Sequence, residues 1–193
     1  RNHSSAASDV YKRQELPDEK KKRFIEKFKL SPYEANILVS DIDTSKYFEE
    51  VSKNSDVKLA TNWITGELFA VLNEKNLEIT ESPISSKNLS KLINLIKKGT
   101  ISGKIAKTIF ELMSDGDKDP EKIVEEKGLK QQSDPKELEK IIDKIISENP
   151  KNVELYKSGK DKLFGFFVGQ VMKSSGGKAN PQLVNEILKK KLN

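Results

Sequence analysis

Residues 160–181 read KDKLFGFFVGQVMKSSGGKANP and decide how the C-terminal part of the chain folds. From about residue 160 to residue 173, apolar side chains occupy nearly every side of a predicted helix, which is typical of a buried helix. Gly165 and Gly169 lie one turn apart in it. Each costs about 1 kcal/mol of helix propensity relative to alanine, and a closely approaching neighbour helix is the simplest compensation. We therefore predict a helical bundle with this helix at its buried centre.

Amphipathic helices are predicted along the rest of the chain as well. Ile101, Ile105 and Ile109, for example, repeat every four residues and would share one apolar helix face. Thr44 is the predicted N-cap of the third helix, and Thr100 is the predicted start of the sixth. The predicted helices begin near residues 17, 31, 44, 56, 86, 100, 119, 135, 150, 160 and 181. The sequence therefore predicts an all-α fold.

Two boundaries are predicted. Residues 1–14 have no helical or strand periodicity, and SSAASDVYKRQ resembles translated adaptor sequence, so we expect an artefactual or disordered leader there. The second boundary is the polar segment at 128–135, which has few groups able to anchor a core. These boundaries predict a helical domain at 15–128 and a smaller helical-bundle domain at 129–193.

The distribution of charge is uneven. Residues 129–193 contain 13 lysines against 8 acidic residues, whereas residues 15–128 contain 19 basic and 21 acidic residues. A basic terminal lobe suits a polyanionic partner, although ordinary lysine-rich solubility explains the charge alone equally well.

Several classes of function are excluded or disfavoured by the residue types present. The chain has no cysteine, which excludes disulfides, thiolate metal sites and cysteine nucleophiles, and a reducing cytoplasmic setting fits. Its one histidine, His3, lies in the leader. There is no Walker or Rossmann glycine loop and no apolar run long enough for a membrane span. We expect a soluble binding protein without an active site in this region.

The acidic stretch at 115–126 has the spacing of a calcium-binding loop, because Asp115, Asp117, Asp119 and Glu126 fall at positions 1, 3, 5 and 12 of an EF-hand. An EF-hand needs glycine at position 6, where this chain has Pro120. Asp119 is better explained as the N-cap of a helix that has Pro120 at its first position. No metal site is expected.

Polar groups at the rim of the apolar helix are the best candidates for ligand contacts. Asn180 is predicted to cap the last helix, whose N-terminus would offer backbone N–H groups beside Lys178 and two glycines. Such an end is a reasonable contact for a phosphate or a sugar. The alternative is that Gly176, Gly177, Asn180 and Pro181 only build a tight turn between helices.

Four segments resemble the C-terminal region of the B subunit of bacterial aspartyl/glutamyl-tRNA amidotransferases. They are TISGKIAK (100–107), EEKGLKQ (125–131), GFFVGQVMK (165–173) and GKANPQLVNEILKKKL (177–192). LPDEKKKRF, which begins at Leu16, and LATNWITGEL, which begins at Leu59, fit the same family. The resemblance covers nearly everything from Glu15 to the end of the chain.

The resemblance implies a helical domain followed by a YqeY-like tail domain, both docking tRNA(Gln) or tRNA(Asn) by shape. In this family a preceding domain, which this sequence does not contain, uses ATP and magnesium to amidate misacylated tRNA, with ammonia from a glutaminase partner. The A and C subunits of the amidotransferase are the implied protein partners. We therefore interpret the chain as the tRNA-binding part of a truncated ligase, with no catalytic residue and no cofactor of its own.

The predicted tRNA contacts share a position at the ends or rim of the last two helices. They are Lys160, Lys162, Gln170, Lys173, Lys178, Asn180 and Gln182. Two alternatives stay open: a helical module that binds partner proteins, and a stand-alone YqeY-like protein.

Overall fold

The computed structural model describes residues 15–193, and the predicted leader lies outside the described residues. Residues 15–193 form helices and connecting turns without any β-strand; the only extended pairing among them is a single parallel bridge between Gln132 and Ala179. The predicted all-α fold is therefore confirmed. The chain separates into two compact units that divide between Ile93 and Asn94, within the helix Ser86–Lys97.

The first unit is built from short helices joined by tight connections. In chain order they are α1 (Pro17–Phe28), α2 (Pro32–Val39), α3 (Ile42–Lys53), α4 (Val57–Asn62), a π-helical segment (Trp63–Leu68), α5 (Phe69–Lys75), a 3₁₀ turn (Ile79–Glu81) and α6 (Ser86–Lys97). The rings of Phe24, Phe28 and Phe48 meet with centroids 5.1–5.4 Å apart and join α1 to α3. Phe24 and Phe48 are fully buried, so this cluster anchors the core of the unit.

Side-chain caps set the starts of these helices. Asp41, and not Thr44 as predicted, is the N-cap of α3, because its carboxylate accepts hydrogen bonds from the backbone N–H groups of Asp43 and Thr44. Thr44 lies inside the helix, where its hydroxyl donates to Asp41 Oδ2 at 3.0 Å. Ser31 and Glu34 form a reciprocal capping box at the start of α2.

An ion-pair cluster ties the start of α1 to α3. The Arg23 guanidinium donates to both carboxylate oxygens of Glu15, at 2.7 and 2.8 Å, and to Glu49 at 2.8 Å. The hydrogen bond from Arg23 is the main reason that the pKa of Glu15 lies below its ordinary value of 4.5. A carboxylate with a lowered pKa stabilises the fold above its unfolded-state pKa, and this contribution is lost as the pH falls through its folded-state pKa.

Replacing Arg23 by methionine should therefore lower the free energy of unfolding by about 1 kcal/mol at pH 7, a value typical of exposed ion pairs with good geometry. The difference from the unsubstituted chain should shrink as the pH falls below about 4. Urea denaturation at both pH values measures it. A difference that does not change with pH would contradict the assigned role of the carboxylates.

The second unit continues from the end of α6 through six further helices. These are α7 (Gly103–Met113), α8 (Pro120–Lys127), α9 (Pro135–Glu148), α10 (Pro150–Lys157), α11 (Leu163–Ser174) and α12 (Pro181–Leu192). Ser102 caps α7, two residues after the predicted start, by accepting a hydrogen bond from the N–H of Ile105 at 3.2 Å. No helix formed by the described residues is long and apolar enough to cross a membrane.

The acidic stretch between α7 and α8 has the structure expected of a helix start. Asp119 accepts from the N–H of Glu121 at 2.9 Å, and Pro120 is the first residue of α8. Gly128 ends that helix with a φ of 59°, in the left-handed region that glycine tolerates. No group of three or more acidic side chains between residues 15 and 193 is arranged to hold a metal ion.

Helices α9, α11 and α12 enclose the core of the C-terminal bundle. Its buried side chains are Leu138, Ile142, Ile145, Phe167, Val171, Ala179, Val184, Leu188 and Leu192. Only Phe167 and Val171 of α11 are fully buried, while Phe164, Phe166 and Met172 are half-buried. The prediction that α11 is the buried centre is therefore wrong for one of its faces, because its neighbours pack on the Phe167 side.

The polar segment predicted to separate two domains is hydrogen-bonded on both sides. Gln131 donates its N–H to the carbonyl of Thr100, and Gln132 donates to the carbonyl of Lys178 at 2.6 Å. Asn180 in turn donates its N–H to the carbonyl of Gln132 at 2.9 Å. The domain boundary between residues 128 and 129 stays a prediction, and the residues on both sides of it belong to the compact unit 94–193.

Candidate nucleic-acid interface

One side of α11 exposes mainly glycine and lysine, with the half-buried Phe166 among them. Lys162, Gly165, Gly169 and Lys173 are exposed, and their spacing of three or four residues places them on one side of the helix. We call these four residues the glycine face. Phe167, on the opposite side, is fully buried. The helix therefore has an anchored side and a more exposed side on which two of the positions are glycine.

The two glycines do not meet a neighbouring helix. A Cβ atom built on Gly165 or on Gly169 has no described atom within 4 Å. The predicted close approach is therefore wrong, and the unfavourable helix propensity of these glycines is not offset by packing against any described part of this chain. What the glycines provide instead is access to the helix backbone from outside.

Lysines lie at both ends of the glycine face and in the turn that follows it. Within residues 15–193, Lys160, Lys162, Lys173 and Lys178 form no ion pair. Elsewhere in the bundle, acidic groups of α9 are paired. Lys191 contacts Glu139 at 2.8 Å and Asp143 at 3.1 Å, and Lys140 contacts Glu137 at 3.5 Å. The hydrogen bonds to Glu139 and then Asp143 raise the pKa of Lys191. Positive charge therefore remains available around α11.

A tight turn connects the glycine face to α12. Gly176 and Gly177 have φ values of 63° and 79°, which L side chains rarely adopt. Gly177 donates its N–H to the carbonyl of Met172 at 2.8 Å, and this bond closes the end of α11. These two glycines thus have a structural role in the turn, as the alternative interpretation of the sequence proposed.

The start of α12 offers fewer donors than expected. The side-chain oxygen of Asn180 accepts from the N–H groups of Gln182 at 3.0 Å and Leu183 at 3.4 Å, and Pro181 has no N–H. The expectation of free N–H groups at this helix end is therefore wrong. Lys178, which is half-buried, is the cationic group of the turn.

The seven predicted contact residues fall into two neighbouring groups. Lys160, Lys162, Gln170 and Lys173 lie along α11 or just before it, and Lys178, Asn180 and Gln182 lie in the turn and the first turn of α12. Their role in binding stays a prediction. Sequence reasoning missed the exposure of Gly165 and Gly169, although their unfavourable helix propensity was a signal that something unusual happens there.

Residues of α7 were also missed. The Ser102 hydroxyl donates to the carbonyl of Gly177 at 3.4 Å, and Lys104 Cδ lies 3.7 Å from the position that a Cβ on Gly177 would take. No local pattern in the sequence indicates this contact, because Ser102 and Gly177 are 75 positions apart.

The first unit contains a polar cleft of about 380 Å³ between α3 and residues 79–86. Its hydroxyl and carboxylate groups hold that segment in place. Tyr47 donates its hydroxyl to the carbonyl of Ile84 at 2.8 Å, and Ser86 donates to Glu50 at 2.7 Å. We therefore assign a structural role to these groups.

The fold and the glycine face define an all-helical protein with lysines exposed along one side of α11. The chain belongs to the GatB domain family, which matches residues 46–192. The B subunit of the aspartyl/glutamyl-tRNA(Asn/Gln) amidotransferase of Pelagibacter ubique (strain HTCC1062) is 76% identical over 182 residues, and its counterpart in Rickettsia africae (strain ESF-5) is 54% identical over 178 residues. Each match covers 92% of this chain and 37% of the relative, so the chain spans little more than a third of the relatives' length.

Proposed function

We propose that this chain is the tRNA-binding C-terminal part of a glutamyl/aspartyl-tRNA amidotransferase B subunit. It positions misacylated tRNA for ATP-dependent amidation to Gln-tRNA(Gln) or Asn-tRNA(Asn) during translation. The reaction itself is carried out by another region of the B subunit, working with the A and C subunits. The observation that carries the proposal is the glycine face of α11, with its exposed backbone and unpaired lysines.

The chemistry of the glycine face suits a folded RNA. Structured RNA is recognised largely through its sugar-phosphate backbone and its shape. Gly165 and Gly169 leave open space at their own Cβ positions, through which that backbone could approach the helix. Lys162 and Lys173 are separated by roughly 16 Å along the helix axis at 1.5 Å per residue, far enough to contact separate phosphates of one strand. The names of the relatives, which specify tRNA(Asn/Gln), point to the same class of ligand.

A protein-interaction module is the second candidate, and one observation favours it. Glycines four residues apart on an exposed helix face also allow a second helix to pack closely against them. That mode of binding does not need the unpaired lysines, and it should depend little on salt. RNA binding needs the lysines. It also weakens steeply as the salt concentration rises, because each bound lysine releases counterions from the RNA into the solution. A stand-alone YqeY-like protein is disfavoured, since the relatives that match 92% of this chain are amidotransferase subunits.

Changing Lys162 and Lys173 together to glutamate should lower the affinity of the full chain for tRNA(Gln) transcript by tenfold or more near 0.1 M salt. The slope of log affinity against log salt should fall in magnitude by roughly two, one for each lost phosphate contact. Fluorescence anisotropy over a salt series measures both quantities.

The matched control is Lys53→Glu with Lys58→Glu, which makes the same change of net charge at exposed positions of the first unit. This control should bind tRNA like the unsubstituted chain. If both double variants lose affinity equally, general electrostatics and not the glycine face is responsible. If the Lys162/Lys173 variant binds tRNA unchanged, the proposal is contradicted and the protein-interaction module is favoured.

A further inference from the structure

The turn that follows α11 is covered by the first turn of α7. Ser102 donates its hydroxyl to the carbonyl of Gly177, and the end of the Ile105 side chain lies 3.8 Å from the position of a Cβ on Gly177. The adjoining residue Thr100 accepts the N–H of Gln131. These contacts all lie within the compact unit 94–193 and hold the start of α7 against the turn.

Lys104 is the charged residue at this contact. Its Cδ atom lies 3.7 Å from the Cβ position on Gly177, so the aliphatic part of the side chain lies over the glycine. Lys104 is exposed and makes no ion pair with any residue between 15 and 193. Lys178 adjoins Gly177 in sequence, and Lys173 precedes it by four residues. Lys104 therefore lies against the turn that carries Lys178 and follows Lys173 in sequence, and none of these three lysines makes an ion pair with a residue between 15 and 193.

Two further observations make this group of lysines suited to an anion. The unit 94–193 contains 20 basic and 15 acidic residues, whereas residues 15–93 contain 12 basic and 14 acidic residues. Gly103, which precedes Lys104, is exposed and has no described atom within 4 Å of its Cβ position. The backbone beside Lys104 is thus as open to a ligand as the backbone of the glycine face.

We infer that Lys104 binds RNA phosphate, and that the RNA-binding surface extends from the glycine face across the Gly176–Gly177 turn onto α7. The inference rests on the proposed function and adds to it a binding residue outside the region 129–193 predicted to form the tail domain. Charge complementarity and continuity with the glycine face select an RNA backbone as the occupant. A protein partner would need apolar area, but the exposed residues here are lysine, glycine and serine.

Substituting Lys104 by glutamate in the full chain should weaken binding of tRNA(Gln) transcript about tenfold near 0.1 M salt and lower the salt slope by roughly one. Lys104→Gln keeps most of the aliphatic stem over Gly177 and removes only the charge, so it should lose part of the same affinity. The matched control is Lys122→Glu, an equal charge change at an exposed position of α8 in the same unit. Circular dichroism and thermal denaturation verify that all three variants fold.

The outcomes separate this inference from the proposed function. If Lys162→Glu with Lys173→Glu weakens binding while Lys104→Glu binds like Lys122→Glu, the extension onto α7 is overturned and the proposed function stands. If the unsubstituted chain fails to bind tRNA, both fall together. If Lys104→Glu unfolds, Lys104→Gln decides: binding equal to that of the unsubstituted chain, with an unchanged salt slope, overturns the inference.

Discussion

Replacing Gly169 by leucine is expected to leave the second unit folded while removing most of its affinity for tRNA. The new side chain would project into open space, because no described atom lies within 4 Å of the Cβ position. It would also stand in the middle of the glycine face, where it keeps an RNA backbone away from the helix. We expect at least a tenfold loss of affinity, since displacing a backbone breaks contacts to both flanking lysines.

Stability provides the internal control for this prediction. Alanine at Gly165 or Gly169 should raise the free energy of unfolding by about 0.5–1 kcal/mol, the usual difference in helix propensity. Leucine at Ser147, an exposed position of α9, adds a similar apolar group elsewhere on the unit and should leave binding unchanged. Urea denaturation and anisotropy measure the two effects. Destabilisation by several kcal/mol in Gly169→Leu would mean that another part of the protein packs against this face.

Replacing Phe167 by alanine should have the largest effect on stability. Its ring is fully buried among the side chains of α9 and α12, so its loss leaves a cavity that the surrounding helices cannot fill. Such substitutions cost about 3–5 kcal/mol, and whole domains are typically stable by only about 5–15 kcal/mol. The second unit should therefore unfold at much lower urea concentration, as followed by circular dichroism.

The neighbouring residue Phe166 is the matched control. Its ring contacts that of Phe167 with centroids 5.5 Å apart, but it is only half-buried. Phe166→Ala should therefore lower the free energy of unfolding by roughly half as much as Phe167→Ala, because less buried apolar surface is lost. An equal loss of unfolding free energy in the two variants would contradict the conclusion that Phe167 is on the anchored side of α11 and Phe166 is on the more exposed side.

The start of a helix was predictable from the sequence where only one nearby side chain can cap it. Asp119 before Pro120 and Asn180 before Pro181 combine a capping side chain with a proline that needs no N–H acceptor, and both are found as predicted. Thr44 failed because Asp41, three residues earlier, can also cap, and its carboxylate reaches two N–H groups at once. The choice between nearby caps depends on the packing of the chain before the helix, which the sequence does not display.

For the candidate site, the sequence predicted which residue types are present but not how they are arranged in space. The excess of lysine at the C-terminus and the residues flanking α11 were visible in the sequence, and the helix-propensity cost of Gly165 and Gly169 marked the helix as unusual. Helix propensity alone does not reveal whether a glycine in a helix packs against a neighbouring helix or leaves the backbone open to a ligand. The prediction that a helix of this chain packs against Gly165 and Gly169 was wrong. The contribution of Lys104 depends on a contact between distant segments, which periodicity cannot detect.

The hydrogen bonds of Gln131 and Gln132 have a practical consequence for dissecting this molecule. A shortened chain that starts at residue 129 would keep the bridge to Ala179 but lose the acceptor at Thr100 and the cover that Ile105 gives Gly177. Such a piece would present a newly solvated apolar edge. A piece of the chain that starts before Thr100 keeps both partners of the hydrogen bonds that Gln131 and Gln132 donate.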